Sequence, residues 1–209
     1  MILLLQNSKP NHIHTDQSDI WLNTVSFENE NILISAPSGT GKTSIFNILY
    51  LNDNQFEGSY LINGTTSNEL DDTAISNLRT NGISAIFQDL KLFEELSLLD
   101  NILLKNQLTE HYSKDQIDQL IDQLGLKEQT HQSVKTLSHG QRQRVCFIRA
   151  LCQPFDYIIM DEPFSHLDTA NIKVMTEILK EELEYRNANM ILLSLEQDYG
   201  LAFHKTYHL

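Results

Sequence analysis

The octapeptide Ala36-Pro-Ser-Gly-Thr-Gly-Lys-Thr43 stands between a short apolar run, Ile32–Ser35, and a longer one, Ile45–Leu51. No other stretch constrains the chain as strongly. The first run is too short for a helix and reads as a strand; the second reads as a helix. The glycines between them let the backbone curl, so that successive N–H groups point inward at the positive end of that helix. The pattern is that of a phosphate-binding loop. Lys42 supplies a mobile point charge for β- and γ-phosphates, and Thr43 offers a hydroxyl to Mg²⁺. The nucleotide-binding set is therefore Ala36, Pro37, Ser38, Gly39, Thr40, Gly41, Lys42, Thr43 and Ser44. The first consensus glycine is replaced by Ala36, at a position that mainly shapes the turn entering the loop.

A second chemical feature lies downstream. Phe155-Asp-Tyr-Ile-Ile-Met-Asp-Glu162 reads as an apolar strand ending in two carboxylates. Behind a phosphate loop, Asp161 at the strand tip suits a metal ligand, and Glu162 suits the base that orients and deprotonates an attacking water. Further apolar runs occur at Ile2–Leu5, Ile83–Phe87 and Met190–Leu193. Their lack of alternation predicts strands buried on both faces of a parallel sheet.

Helical patterns lie between the runs. Ile117, Leu120, Ile121 and Leu124 follow helical spacing, with Ser113 placed to cap, Gln116 three residues on, and Gly125 at the end. Ile172, Met175, Leu179 and Leu183 form a second stripe. Asn63-Gly64 predicts a hairpin turn and with it a small antiparallel element. The fold class expected is α/β: a P-loop nucleotidase core with a mainly parallel sheet, and one domain over residues 1–209. Residues 97–136 hold helical patterns but no strand, which predicts an inserted helical subdomain.

Composition narrows the partners. The chain carries 15 Lys and Arg against 28 Asp and Glu, a net charge of −13. Phosphate-backbone contact needs a basic surface, so no nucleic-acid partner is expected. No apolar run is long enough to span a bilayer, and Met1–Leu5 lacks the features of a signal peptide; a cytoplasmic location is expected. Cys146 and Cys152 fall in one predicted helix, roughly 9 Å apart along its axis, too far for a disulfide.

Leu137-Ser-His-Gly-Gln141 opens the predicted helix Arg142–Cys152, with Ser138 as N-cap and Gln141 three residues later. Phe87-Gln-Asp89 precedes it, and Ser165-His-Leu-Asp168 follows the carboxylate pair. In this order the motifs resemble those of ATP-binding cassette (ABC) transporter ATPase subunits, and the stretch from Phe87 to Ile102 looks most like the lipoprotein-release, macrolide-export and cell-division cassettes. Leu137, Ser138, His139, Gly140 and Gln141 resemble the LSGGQ signature with His139 in place of a glycine. Asp168 matches the D-loop, and Gln88 the metal-sensing Q-loop.

The resemblance implies ATP and Mg²⁺ as ligands, with Thr43, Gln88 and Asp161 at the metal. It also implies a dimer, with itself or a paralogous cassette, in which the signature of one subunit reaches the γ-phosphate held by the other. The implied function is ATP hydrolysis driving a separate integral membrane permease, with the cassette peripheral at the inner face of the membrane. Three features depart from the family pattern: His139; the lack of an obvious aromatic residue to stack on adenine, for which His12, His14 and Trp21 are candidates; and the missing switch histidine after Met190–Leu193. Either Glu196 or Gln197 falls at the last position. Gln197 is preferred as the catalytic residue, because an amide donates to phosphate whereas a carboxylate repels it. These departures leave an alternative, a slowly or non-hydrolysing regulatory or scaffolding cassette. A translation or DNA-repair ATPase would need two cassettes or a coiled-coil insertion.

Overall fold

The computed structural model describes residues 1–13, 18–37, 39–195 and 197–209. The first half contains β1 (Ile2–Pro10), β2 (Thr24–Glu28), β3 (Ile32–Ser35), α1 (Lys42–Leu49), β4 (Phe56–Ile62), β5 (Thr65–Thr66), α2 (Asp72–Asn81) and β6 (Ile83–Ile86). Then come α3 (Leu98–Asn106), α4 (Lys114–Gln123) and α5 (His139–Leu151). β7 (Tyr157–Asp161), α6 (Thr169–Arg186), β8 (Asn189–Ser194) and β9 (Lys205–His208) complete the described elements.

Two sheets result. One is parallel, in the order β6-β7-β8-β3-β9, and the other antiparallel, in the order β2-β1-β4-β5. Every residue of β3 and of β7 is buried, as a strand covered on both faces requires. β1 corrects the expectation for Ile2–Leu5: it pairs antiparallel with both β2 and β4, and only alternate residues are buried. Leu3 and Leu5 face the core shared with Phe46 and Tyr60, while Ile2 on the opposite face is exposed. A run of three leucines conceals that alternation, because Leu4 is only half-buried.

The turn at Asn63-Gly64 has φ of 50° and 85°, the two left-handed residues that a tight hairpin demands. β2 and β9 were not foreseen. Both are short and largely polar, and β9 is an edge strand whose Lys205-Thr-Tyr-His208 carries no apolar run.

Residues 97–136 contain α3, α4 and two 3₁₀ turns. Ser113 and Gln116 form the reciprocal cap of α4, and Gly125 adopts φ 62° at its end. The apolar side of this stretch, including Ile102, Ile117, Ile121 and Val134, packs with Phe147 and Ile148 of α5. α5 in turn lies beside β6 and donates contacts to both the stretch and the parallel sheet. Cys146 and Cys152 are buried free thiols.

Candidate nucleotide site

The parallel sheet delivers the chemistry to one edge. β3 and β7 run in the same direction, separated by β8, so the loop after Ser35 and the carboxylates ending β7 emerge together at the carboxyl ends of the strands. Gly39 and Gly41 have φ of 84° and 106°. A Cβ at Gly41 would also lie 3.1 Å from Ile13 Cδ1 and 3.2 Å from Trp21 Cζ2, so both the conformation and the space select glycine there. Ala36 is not left-handed and is fully buried, its N–H bonded to the carbonyl of Ser194. Glycine is not needed at that position, which accounts for the departure from consensus.

Lys42 begins α1. Its Nζ donates to the carbonyls of Ala36 (2.6 Å) and Pro37 (3.2 Å) and lies 3.2 Å from Glu162 Oε1. Glu162 follows β7 in a left-handed conformation, φ 49°, with its N–H bonded to Leu193 O. This backbone turn aims its side chain back across β8 towards Lys42. Beside it Asp161 is buried, and its Oδ1 has no hydrogen-bond partner. Burial, followed by the neighbouring Glu162 charge, pushes the Asp161 carboxyl up to about 6, against the opposing effects of Lys42 and a hydrogen bond from Thr43.

Thr43, Gln88 and Asp161 line a single cavity of about 500 Å³, together with Phe46, Asn47, Phe87 and Asp89. A second opening, lined by Gly39, Gly41, Lys42, Thr43, Ser44, Gln88 and Glu162, also contains His12 and Ile13. The structure thus brings Lys42, Thr43 and Ser44 together with Gln88, Asp161 and Glu162, while Thr40 turns its hydroxyl to the Pro37 carbonyl at 2.8 Å. Ser38 lies outside the described residues. So do His14 and Glu196.

The remaining predicted residues sit elsewhere. Ser138 caps α5 and accepts from Gln141 N–H, while Gln141 Oε1 accepts from Ser138 N–H. Leu137 is buried. A Cβ at Gly140 would fall 3.1 Å from His166 O and 3.2 Å from Leu167 Cδ2, so a side chain there would press on the turn before α6. Asp168 caps α6 by accepting from Asn171 N–H at 2.8 Å, and this bond is the first cause that lowers its carboxyl below the usual range. Gln197 is exposed and is not among the residues lining either opening.

Trp21 corrects one expectation. It is only 2% exposed and packs beneath the loop, so it is a core residue and not a surface for a base to stack on. Sequence reasoning also missed the hydrogen bond of 2.9 Å between His12 Nε2 and Ser44 Oγ. Thirty-two residues separate the pair, and no local pattern signals it.

The fold and the loop together define a nucleotide-binding cassette built on a P-loop core. The chain belongs to the ABC transporter family, whose description matches residues 22–165, and it is an ATP-binding subunit with ATPase activity of that family. It is 30% identical over 172 residues to "Lipoprotein-releasing system ATP-binding protein LolD 1" of Rhodopseudomonas palustris, covering 80% of this chain and 76% of that one. It is 32% identical over 170 residues to "Macrolide export ATP-binding/permease protein MacB" of Bdellovibrio bacteriovorus, covering 81% of this chain. The match spans only 26% of that longer protein. Among solved structures, the MJ0796 ABC transporter cassette, described as dimeric, superposes with a TM-score of 0.83 at 24% identity, over 100% of this chain and 94% of that one. No helix among the described residues is long and apolar enough to cross a membrane.

Proposed function

We propose that this cassette pairs with a second one, its own copy or a paralogue, enclosing two molecules of ATP with Mg²⁺ and driving a separate membrane permease from the cytoplasmic face. The observation that carries the reading is the convergence of Lys42, Thr43, Asp161 and Glu162 on two openings that share Thr43 and Gln88, with Lys42 and Glu162 already 3.2 Å apart. The loop binds the phosphates through its N–H groups and Lys42. Glu162 accepts the proton of the attacking water. Gln88 and Gln197 serve as polar contacts to the phosphate end, and Ser138 and Gly140 reach the partner's nucleotide. Asp168 holds α6 at that interface.

The residues present fit a divalent cation. A buried carboxylate oxygen without a hydrogen-bond partner, crowded by a second carboxylate and adjacent to a threonine hydroxyl, is a hard-oxygen site lacking compensation. Thr43, Asp161 and Gln88 would hold Mg²⁺ there, where it would neutralise charge on the phosphates. Residues 97–136 serve as a helical subdomain. Between this stretch and the parallel sheet lies an apolar groove with exposed Phe93, Leu104 and Leu108 at its rim, which suits a short helix of the permease.

Glu162→Gln tests the reading. The amide keeps the shape of the carboxylate but accepts no proton, so the variant is expected to form dimers that persist with Mg-ATP on size-exclusion chromatography. A variant that stays monomeric at millimolar ATP would argue against the two-cassette arrangement, and normal turnover would argue against Glu162 as the base.

A further inference from the structure

The backbone just past Gln88 is strained. Leu90 and Lys91 are consecutive non-glycine residues with φ of 61° and 46°. Neither is an Asn or Asp, whose short polar side chains ease that conformation, so each Cβ crowds a backbone carbonyl. Within the turn, the Leu90 N–H reaches Phe87 O at 3.0 Å and the Lys91 N–H reaches Asp89 O at 2.7 Å. Lys91 also pairs with Asp89, but both side chains are exposed and such pairs contribute little. A turn of this kind persists only when its surroundings over-determine it.

The last turn of α5 supplies the grip. Arg149 donates from Nη2 to Leu90 O and from Nη1 to Lys91 O, each at 2.6 Å. One planar guanidinium thus closes on both carbonyls of the left-handed pair, a two-point hold that a lysine does not reproduce. Cys146, one turn earlier on the same face, donates its thiol to Leu90 O at 2.9 Å and accepts from Arg149 Nη2 at 3.3 Å. Burial is the first cause that pushes the thiol up, so the sulfur keeps the proton it donates. Further along, Asn101 fastens the same stretch independently, through both the N–H and the carbonyl of Phe93. Arg149 therefore governs the end nearer Gln88.

That end borders the nucleotide site. Phe87, Gln88, Asp89 and Lys91 line the cavity of about 500 Å³ together with Thr43 and Asp161. Gln88 is exposed, and among the described residues its side-chain amide has no hydrogen-bond partner. Its place is set by the backbone on either side, which is β6 before it and the left-handed turn after it. We propose that Arg149, with Cys146 beside it, is a positioning residue for Gln88: its hold on the Leu90 and Lys91 carbonyls keeps the turn left-handed and Gln88 at the cavity of Thr43 and Asp161. This inference rests on the reading that Gln88 serves the metal in that cavity. Arg149 itself lines neither of the two openings at the loop.

The test uses the full chain as a dilute protomer and a non-hydrolysable ATP analogue, titrated by calorimetry with excess Mg²⁺ and with EDTA. The ratio of the two dissociation constants reads the metal's contribution, and the EDTA value reads the loop alone. Gln88→Ala examines the underlying reading, since loss of a metal contact lowers that ratio. Arg149→Met keeps the length of the side chain and removes its donors. It is expected to lower the ratio by about tenfold, the lower end of what the outer partners of a metal ligand contribute, with the EDTA affinity unchanged. In the Gln88→Ala background the same substitution should change nothing further, because a residue acting through Gln88 then has nothing to place. Lys91→Gly added to Arg149→Met should recover part of the ratio, since glycine takes the left-handed turn without help. Without nucleotide, amide exchange over residues 87–92 should quicken in Arg149→Met while β6 and α5 keep their protection. Arg149→Lys replaces a Met variant that fails to fold, and its single donor head should give a smaller drop. A wild-type ratio in the Arg149 variant, with Gln88→Ala lowered, overturns the role of Arg149 and leaves the reading of Gln88 standing. Equal drops with and without Gln88 overturn it too, and leave Arg149 a purely structural clasp. A wild-type ratio in Gln88→Ala overturns the reading of Gln88 and this inference with it.

Discussion

Lys42 joins three tasks in one side chain. It is 9% exposed, donates to two carbonyls of its own loop, and is the nearest cation to Glu162 and Asp161. Lys42→Ala is therefore expected to weaken Mg-ATP binding at least about tenfold, one lost charge-assisted contact, at a stability cost of about 1 kcal/mol. A fluorescent ATP analogue titrated into both proteins would show it, and equal affinities would remove the phosphate-loop assignment. Gln197 carries a different expectation. It is an exposed amide at one of the two positions where the resemblance can place a histidine, so Gln197→His introduces a side chain that both donates and carries charge. Steady-state hydrolysis should rise; an unchanged rate would place the phosphate contact on another residue. The chemistry of single residues was largely legible in the sequence where it was contiguous: the loop, the Asp161-Glu162 pair and the Ser138 cap are each spelled out within a few positions. The contacts of His12 with Ser44 and of His139 with His166 were not, because chain separation hides them until the sheet and α6 bring the segments together.

At the scale of elements, α6 is fastened by its last turn. Arg186 donates to the carbonyls of Gln153 and Leu151 at the end of α5, to Tyr112 Oη and to Glu182, and its guanidinium lies 4.4 Å from the Phe155 ring centroid. One side chain thus ties α5, α6 and the segment before α4. Arg186→Leu would orphan these carbonyls and leave Glu182, itself largely buried, without its cation. A loss of about 3 kcal/mol is expected, within the usual range for breaking a buried charged network, with Tm falling by roughly 6–12 °C. Thermal denaturation followed by circular dichroism would measure it, and a shift under one degree would mean that water replaces the network at no cost. Elements covered on both faces were legible, since β3 and β7 are unbroken apolar runs. α4 was legible from its stripe and its capping box. α2 was not, because none of its residues is buried and no stripe marks it. β1 was recognised as a strand but assigned to the wrong sheet, since partial burial of Leu4 on its outer face allowed leucine where alternation would place a polar residue.

For the whole molecule, charge bears on the proposed pairing of two cassettes. Each chain carries −13, and bound ATP adds further negative charge, so the approach of two protomers is opposed by a long-range repulsion. The local features proposed to hold the pair together act at short range: the helix termini and Lys42 around each phosphate. Salt separates the two effects, since the screening length falls from about 10 Å at 0.1 M to about 3 Å at 1 M. Repulsion between distant surface charges is screened first, whereas contacts enclosed between the subunits are screened little. The Mg-ATP-dependent dimer of Glu162→Gln is therefore expected to tighten as salt rises from about 0.05 to 0.5 M, over which the screening length shrinks roughly threefold. Sedimentation equilibrium at fixed protein and saturating Mg-ATP would give the dissociation constant at each concentration. A dimer that weakens steadily with salt would show that attraction between opposite surface charges dominates, and would move the search for its anchors from the phosphates to ion pairs across the interface.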